Sequence, residues 1–216
     1  RPAARCAAAS RGNRARSSIS WSDPSRRLAV AVALALATAA GAAEITSDAL
    51  DRLPAAQVVI LGEVHDNPAH HANQARALAA LKPAAVVFEM LDIEQAQRIT
   101  PALTRDPAAL EAVLGWNAAG WPDFAMYAPL FQTTPAPRFY GGAVRPADLA
   151  RARNDGAAAA FGAGAARFGL DRPLAPGDQA AREAEMQQVH CGALPPGLLP
   201  GFVAVQRLRD ASMALA

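Results

Sequence analysis

The chain has 216 residues and a mass of 22.4 kDa, enough for one domain with a sizeable core, or for a domain preceded by a leader. Hydrophobic residues make up 52% of the sequence and charged residues 19%, which excludes a wholly disordered chain. The formal net charge is +2, but seven arginines lie in residues 1–43, and the rest of the chain is mildly acidic. A nucleic-acid partner therefore has little electrostatic support, and we expect none.

The N-terminal part of the chain has the pattern of an export signal. Residues 1–27 are rich in Arg and Ser, and the uncharged apolar run Leu28–Ala40 follows and leads into Gly-Ala-Ala. This order is typical of a secretory signal peptide, and the run is shorter than the roughly 20 residues that a transmembrane helix needs. We predict a leader at 1–43, a folded domain at 44–216, and a mature protein that is periplasmic or membrane-associated. The sequence lacks the Cys that follows such a run in bacterial lipoproteins.

The clearest folding unit is predicted between residues 55 and 92. The β-branched run Gln57–Leu61 is typical of a buried parallel strand. Ala69–Leu81 places apolar residues on one face of a helix, which Asn67 can cap with Pro68 at the first helical position. Ala84–Phe88 is predicted to be the second strand. The three elements together predict a right-handed βαβ unit.

The rest of the chain is predicted to be mostly helical and interrupted by Pro. A third strand is expected at Arg138–Val144. The predicted helices are Ile93–Leu103, Pro107–Leu114, Phe124–Phe131, Pro146–Arg153, Asp178–His190 and Phe202–Ala216. We therefore predict an α/β fold with a parallel sheet core, a βαβ unit and a helical second half. Since the last helix has no strand after it, the sheet is expected to be incomplete.

Acidic and histidine side chains follow both predicted strands at the point where each strand ends. Glu63, His65 and Asp66 come after the first strand, and Glu89 comes directly after the second. The carboxyl ends of neighbouring parallel strands meet at one edge of a sheet, where ligands gather. We therefore expect Glu63, His65 and Glu89 to share one pocket. Imidazole and carboxylate groups are ligands for Zn, Mn or Fe, and they also serve as general acids and bases.

Purely structural roles stay open for several of these residues. Glu63 or Asp66 could cap the following helix and offset its dipole. His70 and His71, in the first turn of that helix, could equally be solvated. Glu89 is harder to explain in this way, because a carboxylate directly after a buried strand is costly unless it is paired or ligated.

Two of these segments together resemble the ChaN family of haem-binding iron-uptake proteins, which belongs to the Tiki/erythromycin-esterase superfamily. They are Val59–His71 (VILGEVHDNPAHH) and Val86–Leu91 (VVFEML). The similarity continues through Gly120–Phe131 and His190–Ala214. The superfamily's Gly-x-x-His motif falls on the glycine and histidine of GEVH, and its acidic partner falls on the glutamate of VVFEML.

The resemblance implies an exported protein that binds haem, or a related iron-bearing small molecule, and takes part in iron uptake. The candidate cofactor-binding residues are Glu63, His65, Asp66, His70, Glu89 and Tyr127. Haem iron in the family is thought to be held by Tyr, and the mature chain offers Tyr127 and Tyr140. Tyr127 lies in an aromatic helix, so it is also a candidate core residue.

The resemblance also implies an alternative function. Relatives in the superfamily use the equivalent positions for metal-dependent proteolysis or ester hydrolysis, with a divalent transition metal as cofactor. Glu63, His65 and Glu89 would then be metal ligands or acid/base groups, although a binding protein is favoured over a hydrolase. Family sequences continue beyond Ala214 into a strand and a second Gly-x-x-His, so this chain is expected to be truncated. A homodimer and a peripheral association with the membrane stay open.

The leader pattern makes a direct prediction about the mature protein. If residues 1–43 are an export signal, processing occurs after Ala42 or Ala43, at the small residues that end the apolar run. N-terminal sequencing of protein from the periplasm is expected to begin at one of the two following residues. A periplasmic protein that begins well before Leu28 would contradict the assignment.

Overall fold

The computed structural model describes residues 43–132 and 137–216, so the predicted leader lies outside the described residues, except for its last residue. From Thr46 to Ala216 the chain forms one compact unit. Within the described ranges its strands are β1 (Ala85–Phe88) and β2 (Arg138–Gly141). Its α-helices there are α1 (Pro68–Leu81), α2 (Ile93–Gln97), α3 (Pro107–Leu114), α4 (Phe124–Gln132), α5 (Pro146–Asp155), α6 (Ala157–Phe161), α7 (Pro176–Val189) and α8 (Leu199–Leu215).

Every helix among the described residues is too short or too polar to span a lipid bilayer.

The sheet consists of two parallel strands in the described part of the chain. β1 pairs with β2 in a register that sets Ala85 beside Arg138 and Phe88 beside Gly141. Helices α2, α3 and α4 lie between the two strands in sequence, as a crossover between parallel strands requires. The predicted α/β class, with a parallel sheet and a helical second half, is confirmed.

The predicted first strand is wrong. Gln57–Leu61 forms no strand and pairs with no other described segment. Val58 is 77% exposed and Ile60 91% exposed, whereas Leu61 packs against the core. A β-branched run favours an extended backbone, but a strand also needs a neighbour for its N–H and C=O groups. The βαβ unit predicted at 55–92 therefore retains only its helix and its second strand.

Helix α1 forms where the sequence predicts it, because local signals define both ends. The Asn67 side chain accepts a hydrogen bond from the backbone N–H of Ala69 at 3.0 Å, and Pro68 occupies the first turn. The helix ends at Lys82, which adopts a left-handed conformation and donates its N–H to the carbonyl of Leu78. Pro83 follows and cannot continue the helix.

An aromatic core fixes α4 against β1. Phe88 of β1 stacks on Phe131 at a ring-centroid distance of 4.6 Å. Trp116 lies 4.6 Å from Tyr127 and donates its indole N–H to the carbonyl of Pro122 at 2.7 Å. Buried indole and phenol groups require such partners. This core holds the elements on which the candidate site is built.

A second, smaller core joins α5, α6 and α8 through alanines and a few larger residues. Close helix packing requires Gly201 of α8, because a Cβ there would lie 2.8 Å from the carbonyl oxygen of Arg153. Helix α8 begins at Leu199, three residues before the predicted start. The predicted helix at Ile93–Leu103 ends early, at Gln97, with a separate 3-10 turn at Leu103–Arg105.

Gly141 at the end of β2 provides a test of this packing. A Cβ at this position would lie 2.2 Å from the backbone oxygen of Asp92, so Gly141→Ala requires a backbone shift. We expect the free energy of unfolding to fall by about 1–3 kcal/mol, measured by chemical denaturation. The matched control is Gly177→Ala in α7, where a Cβ meets nothing within 4 Å; its effect should be neutral or stabilising. Equal losses in both variants would contradict the account.

Candidate functional site

The loop between Leu61 and α1 is held in one conformation by the helix that follows it. The backbone N–H of Val64 donates to Nδ1 of His70 at 2.8 Å. The N–H of Asn67 donates to the carbonyl of Val64 at 2.9 Å. From the next turn of α1, the Gln74 amide donates to the carbonyl of Leu61 at 3.2 Å. These bonds fix the positions of the polar side chains that the loop carries.

Glu63 is the centre of the group of residues that we call the Glu63 cluster: Glu63, His65, His71, Gln74 and Tyr127. Its side chain is only 11% exposed. Oε1 lies 2.6 Å from Nδ1 of His65 and 3.0 Å from the hydroxyl of Tyr127, which donates to it. Oε2 faces Nδ1 of His71 at 3.5 Å. A carboxylate this deeply buried is tolerated because donors surround it.

His65 is the outward-facing member of the cluster. Its side chain is 38% exposed, and its ring meets the edge of Trp121 at a centroid distance of 5.1 Å. Because Nδ1 faces the Glu63 carboxylate, that nitrogen carries the proton in the neutral ring, and Nε2 keeps its lone pair. A carboxylate behind a histidine in this way orients the ring and raises its basicity as a ligand.

His71 is buried, so the solvated alternative for this residue is wrong. The residue is 1% exposed, because α1 turns this face toward the core and Tyr127 stacks on the ring at 4.1 Å. Nε2 donates to the carbonyl of His65 at 2.9 Å, and Nδ1 lies 3.3 Å from Oε1 of Gln74. His71 therefore ties the backbone of His65 to the helix.

Tyr127 combines two roles that the sequence left as alternatives. The residue has no exposed surface and belongs to the aromatic core. Its hydroxyl also reaches the cluster, within 3.1 Å of the carbonyl of His65 as well as near Glu63. Tyr140, the other tyrosine considered, lies in β2 beside Val87 and contacts none of the cluster residues.

The environment moves two pKa values in opposite directions. Burial by itself raises the pKa of Glu63, but the hydrogen bonds from His65, Gln74 and Tyr127 outweigh it, and the net pKa is lowered. Burial raises the pKa of the Tyr127 hydroxyl far above its usual value, and the negative charge of Glu63 raises it further. The cluster therefore holds an ionised carboxylate beside a phenol that stays protonated.

The sequence predicts that Glu89 shares a pocket with Glu63 and His65, but Glu89 contacts neither residue. It follows β1, and its Oε1 lies 3.3 Å from the guanidinium of Arg209 on α8. Both side chains are about 40% exposed. The charges of Glu89 and Asp66 still raise the pKa of Tyr127, although less than burial and Glu63 do. The predicted parallel pairing of residues 57–61 with β1 would have brought Glu89 closer, and that pairing is not formed.

Metal ligation by several side chains is not supported by this arrangement. Nowhere in residues 43–132 and 137–216 do three or more His, Cys, Asp or Glu side chains converge as a metal site requires. The predicted metal ligands Glu63, His65 and Glu89 are therefore not such a group. Asp66 is exposed, and His70 uses Nδ1 to hold the loop.

Two members of the site were not singled out from the sequence. Gln74 lies one turn after His71 on the buried face of α1, so helical spacing could have indicated it. Trp121 lies in the aromatic turn Gly115–Pro122, and nothing in its local sequence indicates that it reaches His65. Both positions depend on contacts between elements.

Comparison with known proteins supplies one finding. A family model described as haem-binding uptake, Tiki superfamily, ChaN matches residues 49–216. No curated protein and no solved structure matches the chain.

The low pKa of Glu63 predicts how stability depends on pH. A carboxyl whose pKa is lower in the folded than in the unfolded protein stabilises the fold above the unfolded value, near 4.5, and this contribution is lost as the pH falls through the folded value. We expect Glu63→Gln to be less stable than the wild type at pH 7 and to lose less stability on acidification. Denaturation curves between pH 7 and pH 3 measure this.

The control for this prediction is Glu185→Gln, because Glu185 is exposed on α7. Its pH dependence should follow that of the wild type. If the curve of Glu63→Gln also runs parallel to the wild type, Glu63 does not have the described environment.

Proposed function

This chain belongs to the ChaN family of haem-binding uptake proteins, in the Tiki superfamily, and from this premise we propose that it binds haem beside the Glu63 cluster and that His65 would hold the iron. The observation that carries the proposal is the 2.6 Å contact between Nδ1 of His65 and Glu63. Because this contact places the proton on Nδ1, the lone pair of Nε2 remains for a metal ion, on a ring that is partly open to solvent.

The residues around His65 fit a flat, largely apolar ligand. Trp121 lies against one edge of the imidazole. Val64, directly before His65, is 56% exposed, and Val58 and Ile60 continue an exposed apolar strip along the preceding segment. Apolar contact with a few placed polar groups is what cofactor sites provide. When bound, haem would supply an iron centre that a histidine side chain can ligate.

Tyr127 is proposed to position His65 and not to bind the iron. A tyrosine ligand acts as the phenolate, whereas burial and Glu63 keep the Tyr127 hydroxyl protonated. The residue is also fully buried, and its hydroxyl is held by Glu63 and the carbonyl of His65. His71 and Gln74 support the same backbone from α1. The buried residues thus orient the partly accessible imidazole of His65.

The metal-dependent hydrolase considered from the sequence is less well supported. Such an enzyme needs several ligands around the metal and an open position for water. Glu89 is paired with Arg209 instead of facing His65, and the described residues contain no group of three converging ligands. The described geometry favours a protein that binds its cofactor through one side chain. Asp66, His70 and Glu89 remain candidates for contacts at the margin of the site.

We further propose that the protein is exported and takes part in iron uptake. Support comes from the basic and apolar pattern of residues 1–43 and from membership of a family of uptake proteins. If the protein is exported, it would bind haem after export, in the compartment that it has reached.

Haem titration followed in the Soret region tests the ligand assignment. We expect the wild type to give a saturable Soret band. His65→Ala should weaken haem binding by more than about 100-fold, because the donor itself is lost. Tyr127→Phe should keep the band and lose about tenfold in affinity, as expected for a residue that orients a ligand.

The matched control is His190→Ala, because His190 lies at the end of α7 and contacts Phe202. This variant should bind haem like the wild type. Loss of the Soret band in Tyr127→Phe together with its retention in His65→Ala would overturn the assignment. Far-ultraviolet circular dichroism of each variant establishes that the fold is retained.

A further inference from the structure

A separate groove lies between β2 and the segment that follows α2. Its volume is about 340 Å³, within the range of small-molecule sites. Its apolar lining comes from Ala96, Ile99, Pro101, Phe131, Pro137 and Phe139, and its polar lining comes from Gln97, Thr100, Thr104, Arg138 and Tyr140. Aromatic side chains beside several polar groups suit a molecule that has both an apolar body and a polar group.

Arg138 supplies a positive charge at this groove. The residue is exposed, and its guanidinium lies 6.0 Å from the ring centroid of Tyr140. In the part of the chain that the structure describes, no Asp or Glu lies within ion-pair distance of Arg138. An unpaired guanidinium over an aromatic ring is complementary to an anionic group carried by an apolar ligand.

Tyr140 adds a second polar group on the same side of the strand. Residues 138 and 140 are two apart in β2, so both side chains point to one face of the sheet. The Tyr140 hydroxyl makes no hydrogen bond with another described residue, in contrast to the hydroxyl of Thr104, which donates to the carbonyl of Pro101 at 3.1 Å. Tyr140 is therefore available as a donor to a bound carboxylate.

We propose that this groove binds a small molecule with an apolar ring body and a single carboxylate. The ring body packs between Ile99 and the aromatic residues of the groove, and the carboxylate pairs with Arg138 and accepts a hydrogen bond from Tyr140. Arg138 begins β2, whereas Glu89 follows the end of β1. Since the strands are parallel, Arg138 and Glu89 lie toward opposite ends of the sheet.

The test uses 2-naphthoate as the probe and 2-naphthalenemethanol as its uncharged counterpart, each titrated calorimetrically into the full chain. We expect 2-naphthoate to bind and the alcohol to bind several-fold more weakly. Arg138→Gln should reduce the affinity for 2-naphthoate about five- to tenfold, as the loss of one partly exposed charge pair implies. The same variant should leave the affinity for the alcohol unchanged.

Three further variants locate the site. Gln97→Trp, at an exposed residue of the groove lining, should abolish binding of both probes by filling the space. Arg151→Gln is the matched control for charge, because Arg151 is exposed on α5 and outside the groove; it should bind like the wild type. His65→Ala should also bind 2-naphthoate normally, which separates this site from the proposed haem site.

Two outcomes would overturn the proposal. One is the absence of 2-naphthoate binding to the wild type at millimolar concentration. The other is binding that survives both Arg138→Gln and Gln97→Trp, since the probe would then occupy another place. Failure of the haem titration would not affect either result.

Discussion

The Glu63 carboxylate is the group on which the arrangement of the site depends. An ionised carboxylate that is 11% exposed must be surrounded by donors, because an unpaired buried charge would cost several kcal/mol. Those donors are His65 in the same loop, Gln74 on α1 and Tyr127 on α4. One charge therefore ties the loop to two helices. It also explains why a histidine and a tyrosine are wholly buried there.

The cluster separates an inner set of groups from one outer group. His71 and Gln74 face each other, and each also bonds to a backbone carbonyl of the loop. The Tyr127 hydroxyl is held by Glu63 and the carbonyl of His65. His65 alone presents a partly exposed ring whose second nitrogen is not engaged with Glu63. The ion pair between Glu89 and Arg209 differs from the cluster in its exposure to solvent. Both its members are about 40% exposed, so the pair contributes little to stability and can rearrange at low cost.

The aromatic core and the site share residues, which couples folding to the geometry of the site. The Tyr127 ring packs at a tilt between Trp116 and His71, and Trp116 contacts Trp121, which in turn meets His65. Large aromatic side chains have few rotatable bonds and pack in defined orientations. A chain of rings therefore runs from the core to the exposed imidazole. The groove near Arg138 shares Phe131 and Phe139 with the same core, so the core supports both surfaces.

Local sequence determined the elements whose signals are local. Asn67, Pro68 and Lys82 define α1, and the motif Gly-Glu-x-His indicated Glu63 and His65 as site residues. The tertiary structure alone decided which partners these elements meet. Residues 57–61 have the composition of a strand, but a strand forms only when another segment supplies its hydrogen bonds. Glu63 reaches Tyr127 across 64 residues, and Glu89 reaches Arg209 across 120. No periodicity or motif encodes such distances, because they result from the packing of whole helices against the sheet.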